Sequence, residues 1–173
     1  YPIIFRSLFA NDGLVNYVLV NLGILDKPYN FLTQPFAAKM VIILALLWRW
    51  TGYNMVFFLS GLQNIEYSVY EAAKIDGASA IQTFFKITVP LLKPTILLTA
   101  IMSTNGTLQL FDESINLTDG GPANASISMS HYIYNLCFKY VPNFGYAAAM
   151  SFFILLLVAV LAFIQMRVGD KRD

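Results

Sequence analysis

The 173 residues are 57% apolar and only 12% charged, with a mean hydropathy of +0.60, a balance that excludes an ordinary soluble domain and makes a membrane protein the first expectation. A formal net charge of +1 offers neither a basic face for nucleic acid nor an acidic face for a cationic partner. One cysteine, Cys137, and one histidine, His131, exclude a disulfide within these residues and a thiolate or imidazole metal cage, and His131 is read as a polar residue near a membrane surface.

The chain opens on Tyr1 in the apolar run YPIIFRSLF, without the basic-then-apolar pattern of a signal peptide, and is expected to be a fragment. Residues 1–36 form an extracytoplasmic segment in which Gly13 to Leu25 can lie as a short apolar helix along the interface. Residues 37–62 predict a spanning helix, long enough at about 1.5 Å per residue to cross a bilayer core of about 30 Å. Trp48-Arg49-Trp50 and Asn54 interrupt it. Arg49 is expensive in lipid and must snorkel, pair, or face the protein interior.

Residues 63–93 predict a cytoplasmic segment with a legible local grammar. Ser68 and Glu71 have the S-x-x-E spacing of a capping box. Gly77 can end the first helix in a left-handed conformation, and Asp76 can cap a second running from about Ala78 to Val89, just before Pro90. Ala72, Ala73, Gly77 and Ala78 are small, while Ile81, Phe84, Phe85 and Ile87 supply bulk, so the pair forms a knob suited to a groove in a partner. On the residues alone, a plain helical loop with alanines chosen for helix propensity explains the segment better.

Pro94 can start the next span, residues 94–111, which is shorter and more polar. Thr95, Thr99, Ser103 and Thr107 recur every four residues as a hydroxyl stripe that packs helices together. Asn105 and Gln109 are the candidates for a solute path, because amides suit the neutral donors and acceptors of a sugar. Residues 112–144 form an outer loop with Asp112-Glu113 solvated, a turn at Asp119-Gly120-Gly121-Pro122, and a tyrosine-rich, helix-compatible stretch from Ile127 to Tyr140. Residues 145–166 predict the clearest span, uncharged from Tyr146 to Gln165, followed by a tail at 167–173. Lys74, Lys86, Lys93, Arg167, Lys171 and Arg172 then lie on one side against Arg6, Lys27 and Lys139 on the other, which places the C-terminus in the cytoplasm.

Glu71-Ala72-Ala73, Asp76-Gly77-Ala78, Phe85, Ile87, Pro90 and Pro94 resemble, in residue type and spacing over 24 positions, the EAA motif of ABC importer permeases. Gly52-Tyr53-Asn54-Met55 through Leu62-Gln63-Asn64-Ile65, the outer Gly120-Gly121-Pro122, and Phe144-Gly145-Tyr146 through Ala149 are similar to the carbohydrate type of that family. The resemblance implies an all-α fold: a polytopic α-helical membrane protein of the bacterial plasma membrane, with the last three spanning helices and the cytoplasmic coupling helices of a type I permease core. It implies that Glu71, Ala72, Ala73, Asp76, Gly77 and Ala78 seat in a groove of an ATP-binding cassette ATPase dimer, with Glu71 paired to a cation there. A second permease subunit and an extracytoplasmic solute-binding protein are the other implied partners, and the implied cargo is a sugar, foremost an oligosaccharide, with glycerol phosphate a related solute. No cofactor is expected in this chain. It has no G-x-x-x-x-G-K-[ST] loop, so ATP chemistry falls to the partner subunit and no enzymatic activity is expected here. The alternative is a secondary transporter or channel subunit, which would also need polar groups within its spans, but no proton-relay carboxylate or filter motif favours it.

Overall fold

A computed structural model describes residues 1–169, all of whose regular structure is helical, as expected. Lys171 and Arg172 of the expected tail lie outside the described residues. The chain divides into two compact units, residues 1–49 with 106–157, and residues 50–105 with the chain from 158 onward.

In the first unit, α1 (Pro2–Leu8) begins on a proline, whose missing N–H has no intrahelical partner to lose at that position. The apolar helix expected at 13–25 is shorter, α2 (Leu14–Asn21), because the chain turns beyond Leu22 and the N–H groups of Ile24 and Leu25 return to Leu19 O. Asn16 is buried on α2 and organises the loop that follows. Its Nδ2 donates to Ala10 O and Tyr29 O, each at 3.0 Å, and its Oδ1 accepts from the Tyr29 N–H at 2.8 Å. All three bonds satisfy backbone groups that burial would otherwise strand.

The 29-residue α3 (Pro35–Gln63) and α9 (Phe144–Gly169) are the two helices, among the described residues, long and apolar enough to cross a membrane. Val41, Ile42 and Ala45 share one face of α3 and form the core of the first unit with Leu117, bordered by Phe5, Phe9 and Phe31. Full burial of a leucine such as Leu117 contributes on the order of 1.5–3 kcal/mol. One turn further along α3, Arg49 Nη1 donates to Glu113 Oε1 at 3.0 Å and to Tyr1 Oη at 3.3 Å, and the guanidinium carbon lies 5.7 Å from the Tyr1 ring centre. Glu113, expected in solvent, has only 1% of its side chain exposed. The correction has a simple cause: an arginine in an apolar helix needs a compensating charge, and this carboxylate supplies it.

The outer segment contains a π-helical turn, π1 (Ser114–Thr118), then α8 (Met129–Tyr134) and a second π-helical turn, π2 (Asn135–Lys139), within the expected helical stretch. Asp119 and Gly120 take left-handed backbone at the expected turn, and the Gly121–Pro122 peptide is cis. His131, expected at a membrane surface, is completely buried instead. Ser114 Oγ sits 2.8 Å from His131 Nδ1, donates to Ser126 O at 2.8 Å and accepts from the Ser128 N–H at 3.2 Å, so the imidazole belongs to the polar core of this loop. Burial lowers the His131 pKa, because the charged ring would lose its hydration. On the exposed side, the hydrogen bond from Lys139 Nζ at 2.8 Å holds the Asp119 carboxyl below its usual range.

In the second unit, α7 (Lys93–Leu108) is the third element expected to span. Its 16 residues cover about 24 Å, and it reaches spanning length only together with residues 80–91, from which it departs by 65°. The hydroxyl stripe is divided, with Thr107 exposed and, among the described residues, only Ser103 bonding to another helix. Thr99 is buried with Oγ1 donating to Thr95 O and Ile96 O, and Ser103 Oγ donates to Asn54 Oδ1 on α3 at 3.3 Å. Beside it, Thr104 Oγ1 accepts from Gln165 Nε2 on α9 at 2.8 Å.

Candidate functional site

The segment between α3 and α7 holds the EAA-like residues and is built from two short helices. The first, α4 (Tyr67–Ile75), starts two residues earlier than a Ser68 cap requires, with Glu66 in extended backbone at the N-cap. Ser68 is therefore already inside the first turn, and its hydroxyl turns back to Glu66 Oε2 at 3.3 Å. The expected Ser68–Glu71 capping box does not form. Glu71 is exposed on α4 and its carboxylate is not spent on a cap.

The end of α4 follows the sequence closely. Gly77 adopts φ +74°, its N–H donates to Lys74 O at 3.2 Å, and the Ala78 N–H reaches Ala73 O at 3.0 Å. Those two bonds make a Schellman motif, in which a left-handed residue lets the last carbonyls of a helix find donors. A Cβ added at Gly77 would meet nothing within 4 Å. Glycine is needed there by the backbone angle, and the space above it is open.

Asp76 does not cap the next helix, as was expected of it; it is the C-cap of α4. The Schellman turn consumes Gly77 and Ala78, so the first extended residue is Ser79. Ser79 and Gln82 form the capping box: the Ser79 N–H donates to Gln82 Oε1 at 2.8 Å and the Gln82 N–H donates to Ser79 Oγ at 3.3 Å. The second helix, expected from 78 to 89, is α5 (Ala80–Thr83), a π-helical stretch π3 (Phe84–Thr88) and α6 (Val89–Leu91). Val89 stays helical ahead of Pro90 because Pro90 lies in the first turn of α6, where no N–H is missed.

Of the six residues expected to dock a partner, Glu71, Ala72, Asp76 and Gly77 are exposed, Ala78 is partly exposed and Ala73 is buried. Ile75, Ile81, Phe84 and Phe85 are also exposed, and the two phenylalanine rings meet edge to face at 5.0 Å. The result is a small-residue corner flanked by apolar side chains. No titratable pair, nucleophile–base contact or group of metal-ligating residues accompanies it among the described residues. Asn105 lies within α7 and Gln109 one residue beyond its end, both with exposed side chains. The charge pair missed by the sequence, Arg49–Glu113, had one signal: an arginine at the centre of an apolar run.

Residues 3–172 match the family described as binding-protein-dependent transport system inner membrane components. The chain is 54% identical over 174 residues to the lactose transport system permease protein LacF of Rhizobium radiobacter, covering 99% of this chain and 58% of that protein. It is 37% identical over 160 residues to the trehalose/maltose transport system permease protein MalF of Thermococcus litoralis, covering 92% and 53% respectively. A crystal structure of a bacterial alginate ABC transporter in complex with an alginate pentasaccharide-bound periplasmic protein matches with a TM-score of 0.83 at 25% identity, covering 99% of this chain and 60% of that one. The chain thus spans a little over half the length of these relatives. By fold and by sequence along nearly its whole length, it belongs to the family of binding-protein-dependent transport system inner membrane components.

Proposed function

We propose that the chain is part of the permease subunit of an ATP-binding cassette importer that carries a sugar, foremost an oligosaccharide, across the bacterial inner membrane. The observation that carries this reading is the corner at Gly77: a Schellman turn that exposes Glu71, Ala72, Asp76 and Gly77 beside apolar side chains, in a chain of this family. In this reading α4 and α5 seat on an ATPase dimer, which binds and hydrolyses the ATP, and Glu71 meets a cation there. A second permease subunit completes the passage. The helices α3 and α9 cross the bilayer, residues 94–111, most of them in α7, form the third crossing, and the segment 63–93 is cytoplasmic.

Residues 1–36 and 112–144 then lie outside, where a solute-binding protein delivers the sugar. A cleft of about 380 Å³ on the first unit, lined by Arg6, Asn11, Asn30, Phe31 and Asp119 among others, lies on these segments. The names of the relatives support a saccharide cargo, since they include lactose and trehalose/maltose systems. Asn105 and Gln109 are the residues proposed to face it.

The test is ATP-driven uptake of radiolabelled lactose by vesicles holding the full-length permease, its partner permease, the ATPase and the binding protein. Glu71→Lys should abolish uptake and release the ATPase while the permease stays in the membrane. Normal coupling in that variant removes the docking role. Alanine at Asn105 or Gln109 should shift apparent affinity or sugar preference more than permease level, and unchanged kinetics for both would remove them from the path.

A further inference from the structure

We infer that Tyr70 and Thr88 form the link through which a displacement of α4 reaches the bend at Leu92. The inference rests on the reading of α4 as the docking helix and adds how its movement leaves it. Tyr70 directly precedes Glu71 but faces the other way: with Ala73, three residues on, it belongs to the side of α4 turned to the protein. Its hydroxyl lies 3.3 Å from Thr88 Oγ1, at the last residue of π3.

The direction of that bond follows from counting protons. A threonine hydroxyl has one, and Thr88 Oγ1 donates it to Thr83 O at 3.4 Å. Tyr70 is therefore the donor to Thr88, and Thr88 is 7% exposed in a segment where Phe84, Phe85 and Lys86 are open. The two bonds form a chain from the docking helix through a buried hydroxyl to the backbone of the second helix.

What lies beyond Thr88 gives the chain a destination. Leu92, four residues on, is buried at the point where residues 80–91 and α7 meet at 65°. A Cβ placed on Gly61 of α3 would fall 2.8 Å from Leu92 Cδ2 and 2.9 Å from Thr95 Oγ1, so the bend is packed against α3 without room for a methyl group. A close-packed contact passes displacement on because it does not compress. The wide turn of π3 ends on the buried hydroxyl of Thr88, with only α6 between it and this contact, and π turns within helices recur at functional sites. Tyr70 and Thr88 are positioning residues: neither is placed against the ATPase or the sugar.

The test uses the assembled importer with full-length permease in nanodiscs, with lactose and its binding protein as the probe. Tyr70→Phe keeps the ring and removes the donor; Thr88→Val keeps the shape and removes the acceptor; Thr88→Ser keeps the hydroxyl. In the first two, the ATPase should still co-purify, while the number of lactose molecules moved per ATP falls about three- to tenfold, the range expected for one hydrogen bond of ordinary net strength. Thr88→Ser should retain the native ratio, and the Tyr70→Phe/Thr88→Val double variant should be no worse than either alone. A native ratio in both single variants overturns the link, and so does a Thr88→Ser loss equal to that of Thr88→Val, which would assign the effect to packing. Loss of ATPase co-purification in Tyr70→Phe also overturns it, in favour of a structural role. Failure of the docking reading would appear separately, as undiminished ATPase binding in Glu71→Lys.

Discussion

Gly77 separates two demands that a glycine can meet, a backbone angle and an open surface, and the structure allows each to be sized. At φ +74° a residue with a side chain carries a left-handed penalty of roughly 1–2 kcal/mol, least for asparagine and aspartate, whose side chains bond locally. A Cβ there meets nothing within 4 Å, so steric conflict inside the chain adds nothing. Gly77→Asn should therefore cost the permease about 1 kcal/mol or less, and an effect confined to the backbone would lower uptake by about fivefold at most. If the open space is the floor of a partner's groove, the added side chain enters the interface instead. Gly77→Asn and Gly77→Asp are both predicted to reduce uptake well over about tenfold at native permease levels, with loss of the co-purifying ATPase. The assay is ATP-driven lactose uptake in vesicles, normalised to the permease by immunoblot. Uptake within about twofold of native in both variants, at native ATPase occupancy, refutes the argument.

Glu113→Ala removes the carboxylate from a partly exposed Arg49 and is predicted to destabilise the first unit by about 1.5–3 kcal/mol, read as a lowered unfolding temperature of the detergent-solubilised protein; an unchanged temperature would mean that the pair contributes nothing. Acid should loosen the outer segment through His131. Its pKa is lowered by folding, so the unfolded chain binds the proton more readily and the associated stability, fully present above pH 6.5, is lost as pH falls below that value. Asp119, also lowered, keeps its contribution down to the ordinary aspartate range near 3.8. The protection of residues 112–140 against hydrogen exchange, each rate taken relative to the intrinsic rate at the same pH, should fall between pH 7 and 5, and His131→Asn, which cannot charge, should flatten that dependence; an equal slope in the variant would exclude His131 as its source.

The sequence made the long helices and the main turn legible, and the reasons are local. Residues 145–166 are uncharged over a full span, so no distant partner was needed to read α9. Gly77 announces a helix end because few residues tolerate its angle. The caps were misassigned because the S-x-x-E spacing of Ser68–Glu71 falls inside a helix whose N-cap is Glu66, while the Schellman turn moves the second N-cap from Asp76 to Ser79, where the same signature recurs with Gln82. Glu113 and His131 were misread for a different reason. Each looks like a surface residue until a group far along the chain, Arg49 for one and Ser114 for the other, comes within 3 Å or so. Burial of that kind is a property of the pair and leaves no mark on either neighbourhood. The corner at Gly77 was legible in residue type and turn; the contact between Tyr70 and Thr88 was not, since neither belongs to the motif.

The Arg49–Glu113 pair also bears on the order in which the chain can be made. Arg49 is the fifteenth of the 29 residues of α3, its midpoint, and its partner is 64 residues downstream. On the proposed topology, α3 enters the bilayer with a cation at its centre ahead of this carboxylate, a burden of about 2.5–3.5 kcal/mol on insertion scales. At about 5–20 residues per second, Glu113 follows it out of the ribosome some seconds later. For that interval α3 must be sheltered by the insertion machinery or sit off-centre, and it can settle at its final depth only once the next crossing has been delivered.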